Sequence, residues 1–425
     1  MPATWNSTDY SDRSMFMRKE EVRSTLKSWI NSLNVRLQNV LLLPPDFTRG
    51  NSGAGIIVEE LYELLGSSVE IDVMPALGTH IPMSDEELTI MFGSKIPREC
   101  FVDHDWRNDV VTIGEIPAEF VSRVSEGLVD YSIDVEVNRR LLDPKYDLIV
   151  SIGQVVPHEV VGMANYTKNV LVGCGGKSMI DKSHFLGAVY GMERLMGQDH
   201  SPVRQVFDYA EEHFLKQLPL QYALTVTTTK GEDTTIEGLF LGRERRLFEE
   251  AVVLSQEKNL DWLDEPLQKV VVYLDPAHFK STWIGNKAIY RLRMAIADSG
   301  ELLIIAPGVK QFGEDPLVDR LIRKYGYYGT PNTLSMVENN EDLRESLSAA
   351  AHLIHGSSEG RFRIVYAPGH LTRDEIEGVG FDYMSLDEAM AMYDPGKMRD
   401  GMNLVNGEEV FFVSNPALGL WALKE

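Results

Sequence analysis

Four clusters of polar side chains fall at the ends of predicted β-strands or in the loops between them. They are Asp46-Phe47-Thr48-Arg49-Gly50-Asn51, Gly78-Thr79-His80, Asp103-His104-Asp105-Trp106 and Pro157-His158. Imidazole transfers protons near neutral pH, and two histidines are needed if protons are to be transferred on both faces of one carbon atom. Because strand-end loops of one sheet converge on one edge, these groups are predicted to share a pocket.

Each cluster taken alone also has a purely structural interpretation. Asp46 could hydrogen-bond its own backbone within a turn, and His104 between two aspartates could form a surface pair. The occurrence of several such clusters along one chain is what favours a functional site.

A lysine and a second histidine follow His158 at fixed distances. Lys168 lies ten residues and His184 twenty-six residues after it, and the loop over residues 173–176 is rich in glycine. Composition alone would allow this loop and its lysine to hold a phosphate. It does not name a reaction.

Short β-branched runs alternate with amphipathic helical segments in the first half of the chain. The predicted strands span residues 35–43, 69–74 and 147–152. Residues 56–65 carry apolar side chains at helical spacing, and Ser84 with Glu87 forms a capping box at the start of a further helix. This order predicts a mainly parallel sheet covered by helices.

A second block with the same rhythm begins near residue 268. Its predicted strands span residues 270–274, 302–306, 362–366 and 409–413, with a helix at residues 286–297. The acidic stretch over residues 232–266 is interpreted as a helical connection. The chain is therefore predicted to be α/β, with two domains of mainly parallel sheet and a cleft between them.

The domain boundaries follow from these elements. The expected units are a first α/β domain at residues 1–266, a second at residues 267–408, and a C-terminal segment at residues 409–425 that returns to the first domain.

Composition favours a globular protein outside the nucleic-acid-binding and membrane-spanning classes. The chain has 64 acidic residues against 41 lysines and arginines, a formal net charge of −23, and nucleic-acid binding depends on basic surface. Cys100 and Cys174 are too few for a disulfide framework. The first 23 residues contain no apolar signal core, and no apolar stretch could span a bilayer. We therefore expect a cytoplasmic location.

The motifs together resemble the lactate racemase family, whose members use a nickel-pincer nucleotide. The resemblance rests on the four clusters above and on the spaced set that ends the first domain: Pro157-His158, Gly162, Lys168, Gly173 and His184. It covers most of the first domain and, more loosely, the second. It implies a first domain that binds the cofactor and carries out catalysis, and a second that contributes a site for the substrate carboxylate.

The resemblance also implies a role for each matching residue. Lys168 corresponds to the lysine that attaches covalently to the cofactor, and His184 to the protein ligand of nickel, whose other ligands come from the pincer. His104 and His158 correspond to the acid/base pair, and Arg49 to the arginine near the substrate hydroxyl. The residues implied to line the cofactor are Asp46, Thr48, Thr79 and His80.

Lys287 is expected to hold the substrate carboxylate from the second domain. It lies in a polar stretch after the strand at residues 270–274, near a predicted helix start, where anions bind well. The family's lactate racemases have a glutamine three residues earlier, where this chain has Ile284. The alternative for Lys287 is an ordinary solvated helix lysine.

Two further departures bear on the substrate. Asn165-Tyr166-Thr167 replaces a Ser-Gly-Gly-like stretch, and the loops at residues 308–315 and 352–361 are rich in donors and acceptors. These loops suit a substrate with several hydroxyls, or else serve structural hydrogen bonds. Taken together, the changes resemble the subgroup that acts on sugar acids, and D-gluconate/D-mannonate 2-epimerase is the hypothesis.

The function expected is inversion of the C2 carbon of a 2-hydroxy acid by reversible hydride transfer to the cofactor. The partners expected are the small hydroxy carboxylate and the enzymes that synthesise the cofactor, with no nucleic acid and no membrane. Alternatives are a racemase of a short acid such as lactate or malate, and a cofactor-free binding protein with the same fold. A further one is metal-assisted hydrolysis or dehydration at a zinc-type cluster of His80, His104, His158 and His184.

Overall fold

The computed structural model describes residues 17–230, 233–417 and 419–424. Most of the N-terminal segment that was expected to lack a signal core lies outside the described residues. The strands are β1 Asn39–Leu43, β2 Glu70–Val73, β3 Val110–Ile116, β4 Ile133–Asn138, β5 Leu148–Gln154, β6 Pro157–His158, β7 Gly162–Met163, β8 Leu220–Lys230, β9 Asp233–Gly242, β10 Asp261–Leu263, β11 Leu267–Tyr273, β12 Ile296–Ala306, β13 Arg363–Pro368, β14 Asp382–Tyr383, β15 Gly401–Val405, β16 Glu408–Val413 and β17 Trp421–Leu423.

Helices cover both sheets. They are α1 Lys19–Ser32, α2 Ala54–Leu65, α3 Asp85–Phe92, α4 Ala118–Val124, α5 Thr167–Leu171, α6 Lys177–Tyr190, α7 Met192–Leu195, α8 Pro202–Ala210, α9 Arg245–Asn259, α10 Thr282–Gly285, α11 Lys287–Leu292, α12 Pro316–Tyr325, α13 Thr330–Asn339, α14 Glu341–Arg344, α15 Leu347–His355, α16 Arg373–Gly378 and α17 Leu386–Met392. The short 3₁₀ helices are Phe47–Ser52, Arg98–Cys100 and Arg139–Leu142, and Glu211–Leu215 is a π-helical turn. None of the helices in the described residues is long and apolar enough to cross a membrane.

The first sheet has the strand order β2-β1-β5-β8-β9. All neighbours are parallel except β8 and β9, which are antiparallel. Val40 and Leu42 of β1 pack with α1 and α2 on one face, whereas Leu41 and Leu43 pack with α6, α8 and α9 on the other. Burial on both faces explains why β1 is a continuous apolar run.

The second sheet has the order β14-β13-β12-β11-β16-β15, parallel except for β15 against β16. One of its faces packs on α17, and the other joins a hydrophobic core that is continuous with the first sheet. Within that shared core α6 of the first sheet's layer packs against α15 of the second. The mixed α/β class with mainly parallel sheets, predicted from the sequence, is confirmed.

Three sequence-based expectations need correction. The stretch expected to be a helical connection contains strand β9, which pairs with β8, and only α9 within it is a longer helix. The helix expected at residues 286–297 ends at Leu292, because the chain turns there and enters β12 at Ile296. Residues 409–413, which begin the segment expected to return to the first domain, belong to β16 beside β11 in the second sheet. Farther along, Leu420 packs on residues of α7 and its C-terminal flank.

Candidate functional site

Three of the predicted clusters lie side by side at one edge of the first sheet. Asp46 follows β1, His80 follows β2, and His158 lies in β6, four residues after the end of β5. These three strands are adjacent and parallel, so their carboxyl ends lie at the same edge. The sheet topology therefore brings together the side chains that the sequence had placed after separate strands.

Asp46 and His80 form a hydrogen-bonded pair in which Nδ1 of the ring lies 2.6 Å from Oδ2 of the carboxylate. The Thr48 hydroxyl donates to the other carboxylate oxygen at 2.6 Å. Burial alone would raise the pKa of Asp46, but the bond to His80, the Thr48 hydroxyl and the nearby charge of Arg49 lower it overall. An ionised Asp46 keeps the His80 proton on Nδ1, and no described residue binds its Nε2.

The neighbouring Thr79 is exposed at the surface of the same loop. The backbone N–H of Gly78 donates to the carbonyl of Gly173 at 2.9 Å. This bond fixes the His80 loop against the glycine-rich loop that follows α5.

His158 is buried, and its Nδ1 accepts a hydrogen bond where Nδ1 of His80 donates one. Its Nδ1 accepts the backbone N–H of Val160 at 3.1 Å. Burial, together with the charges of Lys168, Arg49 and His184, holds its pKa well below the ordinary value, although Glu159 opposes the shift. The ring is therefore neutral near pH 7 and carries its proton on Nε2.

The turn before α5 has a backbone conformation that L-residues rarely adopt, since φ is 65° at Asn165 and 57° at Tyr166. Each such residue costs about 1–3 kcal/mol. The fully buried guanidinium of Arg204 offsets this cost by donating to the carbonyls of Met163 (2.7 Å) and Asn165 (3.2 Å) and to the Thr167 hydroxyl (2.7 Å). Arg204 thereby fixes the start of the helix that carries Lys168.

Two lysines, one from each sheet's layer, have unusually acidic ammonium groups. Burial and the charge of Arg49 lower the pKa of Lys168 to about 8, against the opposing charge of Glu159. The same three influences lower the pKa of Lys287 to about 8. Neither ammonium forms a hydrogen bond or ion pair with a described residue. Their shared neighbours show that Lys287, on α11 of the second domain, reaches the site built on the first.

His184 lies on α6, one helical turn after the residue that fixes its ring. Its Nδ1 donates to the carbonyl oxygen of Ile180 at 2.6 Å, which leaves the lone pair of Nε2 available. Burial and the Lys168 charge lower the pKa of His184, opposed by the Ile180 bond and by the charges of Asp181 and Glu159. A neutral imidazole with a free Nε2 is the form that binds a metal.

The structure does not place His104 among these side chains. Its ring is 3% exposed, Nε2 lies 3.1 Å from the Gly175 carbonyl, and Nδ1 lies 3.0 Å from Nδ2 of Asn138. The charges that act on its pKa are those of Asp105 and Asp109, outside the cluster. Both ring nitrogens of His104 are hydrogen-bonded in this structure, and the acid/base role expected of His104 stays a prediction.

Comparison with known proteins identifies the region that carries this cluster. Residues 17–195 match the lactate racemase N-terminal domain. The lactate racemase-type domain contains every predicted site residue except Lys287. No curated protein matches the sequence significantly.

Two solved structures share the fold over nearly the whole chain. A protein from Thermotoga maritima is 24% identical with a TM-score of 0.81, covering 96% of this chain and 99% of that one. The lactate racemase apoprotein from Thermoanaerobacterium thermosaccharolyticum is 16% identical with a TM-score of 0.73, covering 96% of this chain and 94% of that one. These likenesses show a common fold.

The residues of the lactate racemase-type domain fit a metal that arrives within a cofactor. His184 offers one free imidazole nitrogen, whereas the described residues contain no group of three or more His, Cys, Asp or Glu side chains placed to hold a metal. Such a metal would take its other ligands from the cofactor. The zinc-type cluster of four histidines, considered from the sequence, is not formed.

Two polar residues near this cluster had been given no role from the sequence, Glu159 and Arg291. The charge of Glu159 acts on the pKa values of His158, Lys168, His184, Lys287 and His355. A sequence signal existed for both, because Glu159 directly follows His158 and Arg291 lies one helical turn after Lys287. His355 belongs to the donor-rich stretch 352–361 that was expected to suit several hydroxyls, and α15, which carries it, packs on α6.

Proposed function

We propose that this chain is an isomerase that inverts C2 of a 2-hydroxy acid with a nickel-pincer nucleotide as cofactor. The substrate we propose is a sugar acid, with D-gluconate and D-mannonate as the first pair to test. The proposal is supported by the charge of Glu159, which acts on the pKa values of Lys168, His158, His184 and Lys287 alike. The match to the lactate racemase N-terminal domain supports the reaction class.

Two residues would hold the cofactor. Lys168, whose pKa of about 8 gives a reactive neutral amine near physiological pH, would form the covalent link. His184 would bind nickel through Nε2, a donor suited to square-planar nickel beside sulfur ligands. When bound, the cofactor supplies an acceptor for the C2 hydrogen as hydride.

The proton transfers would be carried out by His80 and His158. His80 would take the acid/base role that the family resemblance implies for His104. Asp46 holds Nδ1–H of His80, so its Nε2 can accept a proton from a substrate hydroxyl. A neutral His158 can donate a hydrogen bond from Nε2–H to the C2 oxygen from a second direction, and it can serve as an acid only in its protonated form. Because the reaction is reversible, one ring would be neutral while the other is protonated, and the two would exchange these states between forward and reverse turnover.

Cationic side chains would orient the substrate. Lys287 would pair with the carboxylate, and Arg49, whose charge acts on both lysines, would lie near the C2 hydroxyl. Each is part of a buried cluster, where electrostatic interactions are stronger than in water. Burial between the two sheets would also exclude water from the reacting carbon.

One alternative substrate class is a short 2-hydroxy acid such as lactate, which the name of the matched domain favours. A non-catalytic alternative is a binding protein that lacks the cofactor.

The test uses protein produced together with cofactor-synthesis enzymes, offered D-gluconate and lactate that carry deuterium at C2. We expect inversion of gluconate with the label retained on C2, because an internal hydride transfer returns it to carbon. Release of the label to water would contradict the hydride mechanism. Inversion of lactate alone would establish the short-acid alternative, and loaded protein inactive on both acids would count against an isomerase.

A further inference from the structure

Arg291 is a buried cation without a partner among the described residues. It is 3% exposed, and its Nε atom has no hydrogen-bond acceptor. Its guanidinium also forms no ion pair in the part of the chain that the structure describes. Leaving such a group unsatisfied is costly, which indicates a site for an acceptor that the protein itself does not provide.

Glu159 lies within electrostatic range of Arg291 without contacting it. Each residue shifts the pKa of the other towards its charged form, against the effect of burial. The carboxylate of Glu159 is 19% exposed, and its Oε2 lies 3.7 Å from Nδ1 of His158. An acceptor from the first domain and a donor from the second thus interact electrostatically without a hydrogen bond or ion pair between them.

A second buried atom without a hydrogen-bond partner belongs to the same neighbourhood. His355 is 5% exposed, and its Nε2 has no hydrogen-bond partner among the described residues. The charges of Glu159 and His184 both act on it. The ring lies edge-on to Tyr290, with centroids 6.4 Å apart, beside Arg291 in sequence.

The chemistry of these groups selects among possible ligands. A hydroxyl both donates and accepts, so a chain of hydroxyl-bearing carbons can satisfy Glu159 and Arg291 together. A methyl group would leave both unsatisfied, and a second carboxylate would be attracted by Arg291 but repelled by Glu159.

The position of the groups relates them to the reacting carbon. Arg291 follows Lys287 by one helical turn, and Glu159 follows His158 directly. With the substrate carboxylate at Lys287 and C2 beside His158, the remainder of the substrate would extend towards Glu159 and Arg291.

We propose that Glu159, Arg291 and His355 bind the hydroxyl groups that the substrate carries beyond C2, and so select a polyhydroxy acid over short or dicarboxylic 2-hydroxy acids. The inference rests on the proposed function for the location of C2. It adds the residues that determine substrate class.

The test is calorimetric titration of the full-length protein without cofactor, because binding can then be measured without turnover. The probes are D-gluconate, D-glycerate, D-lactate and D-malate. The variants are Glu159→Gln, Arg291→Met and, as a control, Arg246→Met on the exposed surface of α9. We expect the unaltered protein to bind gluconate at least about tenfold more tightly than lactate or malate, with glycerate between.

Both site variants are expected to lose most of this preference while the control keeps it. Should Arg291→Met fail to fold, Glu159→Gln decides, since it is nearly isosteric and its site is partly open. Equal binding of lactate and gluconate by the unaltered protein, or an intact preference in Glu159→Gln, would overturn the inference. A preference that persists in a cofactor-loaded protein unable to invert any acid would overturn the proposed function and leave the hydroxyl site standing.

Discussion

Nδ1 of His80 lies 2.6 Å from a carboxylate oxygen of Asp46, whereas Nδ1 of His158 accepts a backbone N–H. The two rings therefore present opposite chemistry through Nε2, one as an acceptor and the other as a donor. This asymmetry gives a substrate oxygen one ring nitrogen that can accept its proton and one N–H that can hydrogen-bond to it.

Asp46→Asn should sharply reduce turnover. The asparagine amide can donate to Nδ1 of His80, which would move the ring proton to Nε2 and remove the base. We expect kcat for C2 inversion to fall by about 10²–10⁴-fold with little change in KM. Asp105→Asn, at a half-buried carboxylate that among the described residues binds only its neighbours Arg107 and Asn108, is the control, and a kcat in Asp46→Asn equal to that of this control would contradict the role of the pair.

His104→Gln should lower the stability of the protein while leaving most of its activity. Because the His104 ring is buried with both nitrogens bonded, its loss should lower the free energy of unfolding by about 1–3 kcal/mol. Most of the kcat per folded molecule should remain, whereas His158→Gln should lose about 10²–10⁴-fold. Chemical denaturation and initial rates measure the two effects, and a loss in His104→Gln as large as in His158→Gln would restore the original assignment.

Lys168 should react with acylating reagents at unusually low pH. Burial and the Arg49 charge disfavour its ammonium form, so the amine becomes neutral and nucleophilic as the pH rises through about 8. Exposed Lys95 is the internal control, since hydrogen bonds to Glu63 and Glu59 raise its pKa above 10.5. Trace acetylation of the cofactor-free protein with peptide mapping gives both profiles. Identical midpoints for the two lysines would be inconsistent with the buried charge cluster.

Arg204→Lys should loosen the turn that precedes Lys168. Lysine keeps the charge but cannot span the carbonyls and hydroxyl that the guanidinium binds, so we expect a loss of about 2–3 kcal/mol in unfolding free energy. Amide exchange should quicken at residues 163–168. Arg245→Lys is the matched control, because its hydrogen bonds are to Asp208 and Asp199 and not to this turn. Unchanged exchange in Arg204→Lys would show that the turn is held by other contacts.

The strands and loops that form the site could be predicted because their signals are local. The apolar runs of β1, β2 and β5 and the capping box at Ser84 each depend on a few consecutive residues, and all are present in the structure. Strand β9 was missed because the acidic charge of the stretch after residue 232 outweighed its β-branched pattern, although pairing with β8 satisfies its backbone.

The side-chain partners of the site could not be read from local patterns. His104 has its histidine type and strand-end context in common with His80, and only the bonds to Asn138 and Gly175 show that it is enclosed. Arg291 and Glu159 are 132 positions apart in the sequence. Their proximity depends on how α11 meets the first sheet, which is a tertiary property.

The most direct test of the account is the mass of the protein produced together with cofactor-synthesis enzymes, combined with its nickel content. We expect one covalent adduct, on the peptide that contains Lys168, and one nickel per chain. Lys168→Ala should carry no adduct, and His184→Ala should keep the adduct but lose most of its nickel. An adduct on another peptide, or full nickel content in His184→Ala, would contradict the assignment of Lys168 and His184 on which the proposed chemistry depends.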